Sequence, residues 1–162
     1  MKPLHKTILL LLPAILVYAW FCHEFNFVQD DAYISYRYVA NYLNGDGLVF
    51  NIGERVQGYT NFGWVIYLIL GGALGIGYIG LSQITGFILG AGVIVLTYLI
   101  GCLLFDKRHQ WYAVAAVYIV GLNQSLAYWS PAGLETAAFA FFALLAVYLY
   151  LKRSWFLIFA ML

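Results

Sequence analysis

Residues 84–105 contain no charged side chain, and neither do the apolar runs 8–22, 63–79, 111–127 and 136–151. An uncharged run of about 20 residues is long enough to cross the roughly 30 Å hydrocarbon core of a bilayer as a helix. A chain with several such runs cannot hide them all in one aqueous core. Composition agrees: 9% of residues are charged and 64% hydrophobic, against about 25% charged in an ordinary soluble domain, and the mean hydropathy is +0.85. The sequence therefore specifies an all-α, multi-pass transmembrane helical bundle. A net charge of +1 provides no polybasic surface for nucleic acid.

Charge placement sets the expected topology. Lys2, His5 and Lys6 precede the first run and favour a cytoplasmic N-terminus in the inner or plasma membrane. Spans are expected at about 8–27, 84–105, 111–127 and 136–151, with another starting at 155. That last run stops at residue 162, too short to cross, so a truncated chain or fragment is expected. A secretory signal peptide is the rival reading of the first run, with 17–19 offering small residues for cleavage, but no soluble domain follows.

The segment 63–79 decides the count. If it crossed, Lys107, Arg108, Lys152 and Arg153 would all lie outside, against the positive-inside tendency. If it lies along the membrane or re-enters it, six of the eight Lys and Arg residues are cytoplasmic and six of the seven acids, all but Asp106, are external. Five glycines between Gly63 and Gly77 also weaken it as a lipid-exposed helix. The second arrangement is the expectation: a long first extracytoplasmic loop, about 28–83, containing membrane-lying helices. Cys22 and Cys102 then fall near opposite membrane faces, so no disulfide is expected, and no Cys or His pair has the spacing of a structural zinc site. Trp20, Trp64 and Trp129 read as an interfacial aromatic belt.

Within that loop, residues 29–62 are the one long polar passage, holding four of the seven acids: Asp30, Asp31, Asp46 and Glu54. Ala32, Tyr36, Val39 and Leu43 recur at helical spacing. The pattern predicts a helix from Asp30 or Asp31 to Asn44, lying on the membrane surface and stopped by a left-handed Gly45. Capping accounts for Asp30, and helix-dipole complementation for Asp31. Two adjacent carboxylates repel unless a cation or proton is near. Their chemical uses are a general base for an attacking hydroxyl and a holder for a metal ion. Arg37 could form a salt bridge to the pair or clamp a phosphate. In the short loop 128–136, Glu135 is the only charge. It reads either as a first-turn acid or as a third carboxylate on the same membrane face, with Ser130-Pro131 as a helix breaker.

The motif D-D-A-Y-I-S-Y-R-Y at 30–38, continued by G-L-V-F-N-I-G-E-R-V-Q-G-Y-T-N-F at 47–62, closely resembles the first outer loop of polytopic glycosyltransferases of the C-type membrane fold. It is similar to mycobacterial terminal arabinofuranosyltransferases and their bacterial homologues. The G-L-E-T core of 130–136 resembles that family's second acidic loop. The resemblance implies a polyprenyl-phosphate sugar donor, a glycan, lipid or protein acceptor, and reaction at the outer face beside membrane lipid. It implies Asp30 or Asp31 as catalytic base and Glu135 as the second acidic position. Tyr33, Arg37, Glu54, Tyr59 and Asn61 are the candidate substrate-binding residues. Metal use varies among relatives; Asp31 and Glu135 are the candidates to hold a divalent ion. The competing classes are an ion- or proton-coupled transporter, which should carry ionisable groups inside its spans, and a non-catalytic membrane subunit, which has no need of the acidic pair.

Overall fold

The computed structural model of the chain describes residues 3–153, and the span expected to start at 155 lies outside them. Among the described residues there are seven helices and no strands: α1 (Pro3–Glu24), α2 (Ala32–Leu43), α3 (Phe62–Ala73), α4 (Tyr78–Leu104), α5 (Trp111–Gly121), α6 (Gln124–Trp129) and α7 (Thr136–Leu151). Two of them, α1 and α4, are long and apolar enough to cross a membrane. At 1.5 Å per residue, the 27 residues of α4 reach about 40 Å.

α4 is the axis of the fold, and α1, α5 and α7 all pack against it. Contacts along the helices fix their directions. The Tyr18 hydroxyl donates to the Phe87 carbonyl at 3.0 Å, and Gln83 Nε2 donates to Asn26 Oδ1 at 3.2 Å. The end of α1 therefore meets the start of α4. Small residues on α4 permit the close approach. A side chain at Gly86 would strike the backbone of Ser130, and one at Gly101 would strike Ala113 of α5. Close packing of this kind is how membrane helices associate when burial in lipid offers no hydrophobic gain. Large apolar side chains face outward around the bundle, among them Leu9, Leu16, Ile84, Ile88, Ile119 and Phe139, a surface that water would not tolerate without a partner or lipid.

Two cores result. One gathers Leu11, Ala14, Tyr18 and Cys22 of α1 with Ile94, Val117 and Ala127. The other joins α2 and α3 to the bundle through Tyr36, Tyr38, Val39, Trp64, Val65, Leu68 and Ala138. Cys22 and Cys102 are both free, and Cys22 Sγ donates to the Ala127 carbonyl at 3.4 Å.

Several sequence expectations change in detail. The segment 63–79 forms α3, whose 12 residues extend about 18 Å, short of a bilayer crossing; α4 then begins at Tyr78, earlier than 84. The run 111–127 is broken after Gly121, which packs against Ala14. The Asn123 side chain restarts the chain as α6 by accepting from the amides of Ser125 and Leu126 at 2.9 and 3.2 Å. Most of the stripe of α2 packs on protein: Ala32, Tyr36 and Val39 are buried, together with the polar Ser35 and Asn41, and Leu43 is exposed. Trp64 is not a belt residue. Only 8% of it is exposed, and its indole N–H donates to the Gly133 carbonyl at 3.1 Å.

Candidate active site

The site lies at the end of the bundle where α4 and α7 begin, and α2 is its central support. The sequence pattern predicts the helix from Asp30 or Asp31 to Asn44; it runs from Ala32 to Leu43, with Asp31 at its N-cap and Asn44 at its C-cap, and Gly45 follows with a φ of +90° that glycine adopts without strain. Three side chains of α2 fasten the 48–58 segment. Asn41 Nδ2 donates to the carbonyls of Val49 and Phe50 at 2.8 and 2.9 Å. The Tyr38 hydroxyl donates to Val56 O and accepts from the Gly58 amide, both at 2.8 Å. Arg37 Nε donates to Phe50 O at 3.1 Å. Of the two readings of Arg37, a salt bridge to the aspartates is not formed among the described residues. Among the described residues the ion pair present is His109–Asp106, at the other end of the molecule.

The second acidic loop is drawn onto this platform by three cross-links. Gln29 donates its amide to Ala132 O at 3.0 Å, Trp64 reaches Gly133 O, and Asn61 Nδ2 donates to Glu135 Oε2 at 2.7 Å. Gly133 itself has φ +89°, and a Cβ there would collide with the Tyr36 hydroxyl and press Ala32. Only glycine lets the loop descend this far onto α2. Tyr36 is fixed in turn by Ser82 Oγ of α4 at 2.6 Å. Burial pushes the Tyr36 phenol up from its ordinary value, with the Ser82 hydrogen bond acting in the opposite direction.

Between the two loops is a cleft of about 280 Å³ whose walls include Asp31, Ser35, Tyr59, Thr60, Asn61 and Glu135. Its volume is at the small end of ligand-binding clefts. Asp31 and Glu135, 104 positions apart by their numbering (135 − 31), thus line one cavity. The two aspartates differ. One Asp30 carboxylate oxygen accepts the Asp31 amide at 3.0 Å, whereas Asp31, at the N-cap position, makes no side-chain capping bond. Glu135 is oriented by Asn61. Asn61 is itself held by buried Ser35, which accepts from its Nδ2 at 3.0 Å and donates to its Oδ1 at 3.3 Å.

Of the residues singled out from sequence, the structure brings Asp31, Tyr59, Asn61 and Glu135 together. Asp30 is adjacent and exposed. Glu54 instead lines a neighbouring cavity of about 290 Å³ with Tyr38 and Phe50, where Asn51 Nδ2 donates to its Oε2 at 3.0 Å. Tyr33 is exposed and packs edge-on against Tyr36, ring centroids 5.6 Å apart. Sequence reasoning missed Ser35, Thr60 and Gly133. Ser35 had a detectable signal, a small polar residue on the apolar face of α2. Among the described residues no group of three or more His, Cys, Asp and Glu gathers as a metal site. Two carboxylates suit only an ion that keeps several waters or takes phosphate oxygens as ligands, as Mg²⁺ does.

Comparison with known proteins gives a partial match. Over 59 residues, 36% of this chain, the sequence is 39% identical to the terminal beta-(1->2)-arabinofuranosyltransferase of Mycobacterium tuberculosis (strain ATCC 25618 / H37Rv). The matched stretch covers 9% of that protein's length. No protein-family model matches the chain, and no solved structure matches it. The match is to part of a distant relative, a glycosyltransferase by name.

Proposed function

We propose that this chain belongs to an integral membrane glycosyltransferase. In this reading it transfers a sugar from a polyprenyl-phosphate donor to a glycan, lipid or protein acceptor of the cell envelope. The reaction takes place at the outer face of the inner or plasma membrane. The N-terminus and the Lys107-Arg108 and Lys152-Arg153 pairs are cytoplasmic, as the positive-inside tendency requires. The observation that carries the reading is the cleft that Asp31 and Glu135 share, at the end of the molecule opposite those basic pairs. The partial relation to a named arabinofuranosyltransferase supports the class of reaction.

The chemistry follows from what the cleft offers. A carboxylate of the Asp30–Asp31 pair removes the proton from the acceptor hydroxyl as its oxygen attacks the anomeric carbon. The bond to the polyprenyl phosphate breaks, and the phosphate departs with the electron pair. Displacement from the opposite face inverts the anomeric centre. Phosphate needs no general acid when its charge is met electrostatically. A divalent ion bound here would be held by Asp31 and Glu135 and would offset that charge. Glu135, fixed by Asn61, and Tyr59 form the wall against which the sugar is positioned.

The test is transfer of radiolabel from a polyprenyl-phosphate sugar by the full protein in membranes. General-base catalysis contributes about 10²–10⁴-fold, so Asp30→Asn/Asp31→Asn should lose at least the lower figure. Unchanged transfer by the double variant would refute the assigned chemistry.

A further inference from the structure

A second polar cavity lies at the opposite end of the bundle, outside the cleft just described. It has a volume of about 420 Å³ and sits between the start of α1, the end of α4 and the start of α5. Leu10 and Val114 form its apolar floor, while Tyr98, Lys107, Gln110 and Trp111 supply polar and amphipathic groups. We propose that this cavity binds the phosphate headgroup of an anionic phospholipid, with Lys107 as its counter-charge.

Three observations point to that occupant. First, Lys107 is left without an acid. The only carboxylate of its loop, Asp106, is already engaged. Its Oδ1 accepts the amides of Arg108 and His109 at 3.1 and 2.9 Å and pairs with His109 Nδ1 at 2.8 Å. Among the described residues no carboxylate lies within ion-pair distance of Lys107. Second, the charge of this whole end is unbalanced: Lys107, Arg108, Lys152 and Arg153 stand against Asp106 alone among the described residues. The 11-residue α5 also begins here, so its N-terminal dipole adds partial positive charge. Third, the cavity grades from hydrocarbon to cation, flanked by α1 and α4, the two helices of membrane-crossing length. That gradient matches the boundary between acyl chains and headgroups, where Trp and Lys anchor membrane proteins. A free phosphate would satisfy the lysine but would make no use of the apolar floor.

The inference requires only that the protein resides in a membrane; it is independent of the transfer chemistry. Native mass spectrometry of the full protein from zwitterionic micelles tests it, with phosphatidylglycerol and phosphatidylcholine supplied in equal amounts. The wild type should retain phosphatidylglycerol in preference by about fivefold, the scale of one lysine–lipid charge contact. Lys107→Gln should abolish the preference, and Lys107→Arg should keep it. Lys152→Gln, a basic change at the same end outside the cavity, should leave it intact. Equal retention of the two lipids by the wild type would overturn the proposal, as would a preference indifferent to Lys107→Gln. Displacement of the lipid by millimolar inorganic phosphate would also overturn it, because the site would then be one for a free anion. Lys107 is exposed, so its variants keep the fold, and a melting curve of each confirms this.

Discussion

Asn61 is the joint on which the candidate site depends, and its removal has a calculable effect. Its amide makes a charge-assisted bond to Glu135 at 2.7 Å, a type worth about 1.5–3 kcal/mol. Glu135 is only half-buried, so solvent screening places the loss near the lower figure. The same side chain satisfies Ser35, which is 3% exposed. A buried hydroxyl left without partners costs about 1–3 kcal/mol. Asn61→Ala should therefore loosen the Glu135 end of the 130–135 loop on the α2–α3 platform at a cost of about 2.5–4.5 kcal/mol. Asn61→Asp keeps an acceptor for Ser35 but replaces the donor to Glu135 with a second carboxylate, and should be the worse of the two. Hydrogen exchange of residues 130–136, read alongside the rate of sugar transfer, is the assay. Exchange should quicken in that loop while the amides of α4 remain protected. If Asn61→Ala exchanges and turns over as the wild type does, the loop is held by something else and the joint is wrongly assigned.

Other outcomes follow from the same geometry. Gly133→Ala forces a side chain into left-handed backbone against Tyr36 and Ala32. It should cost at least the roughly 1–2 kcal/mol of that conformation and lower transfer, read by thermal melting and activity together. Tyr38→Phe removes both bonds that fasten Val56 and Gly58. It should destabilise by about 1–3 kcal/mol and raise KM for the donor more than it lowers kcat, since the cleft wall at Gly58 and Tyr59 loosens. For orientation, Arg108→Cys in a background with Cys22 and Cys102 replaced by Ala should react with an impermeant maleimide only after the membrane is opened. Labelling in intact cells would invert the topology.

The sequence made some of this legible and concealed the rest for physical reasons. Local signals sufficed for α2, because its apolar spacing, its leading aspartates and Gly45 all act within one helix. For the segment 63–79, charge counting and its glycines argue against a crossing, and the chain there folds as the 12-residue α3. The break between α5 and α6 was not foreseen. Asn123 caps a helix inside an otherwise apolar run, and the packing of Gly121 on Ala14 is a contact between distant parts of the chain. Trp64 was misplaced for a similar reason. An indole at a membrane boundary and an indole pinning a loop carbonyl look identical in one dimension. Charge alone leads to the expectation that the two acidic loops share a membrane face, but the cavity they line depends on Asn61 and Gly133. Their roles exist only once residues 61 and 135 are neighbours. Arg37 adds a contact that the sequence did not reveal, the bond from its Nε to the Phe50 carbonyl.

Photolabelling addresses the central claim most directly, because it asks where the donor sugar sits. The full protein in membranes is irradiated with a polyprenyl-phosphate donor carrying a diazirine on its sugar, and the modified peptides are mapped. The account predicts label on residues 58–61 and 134–135, abolished by excess unlabelled donor. Label confined to the Glu54 cavity or to the basic end of the bundle would contradict it.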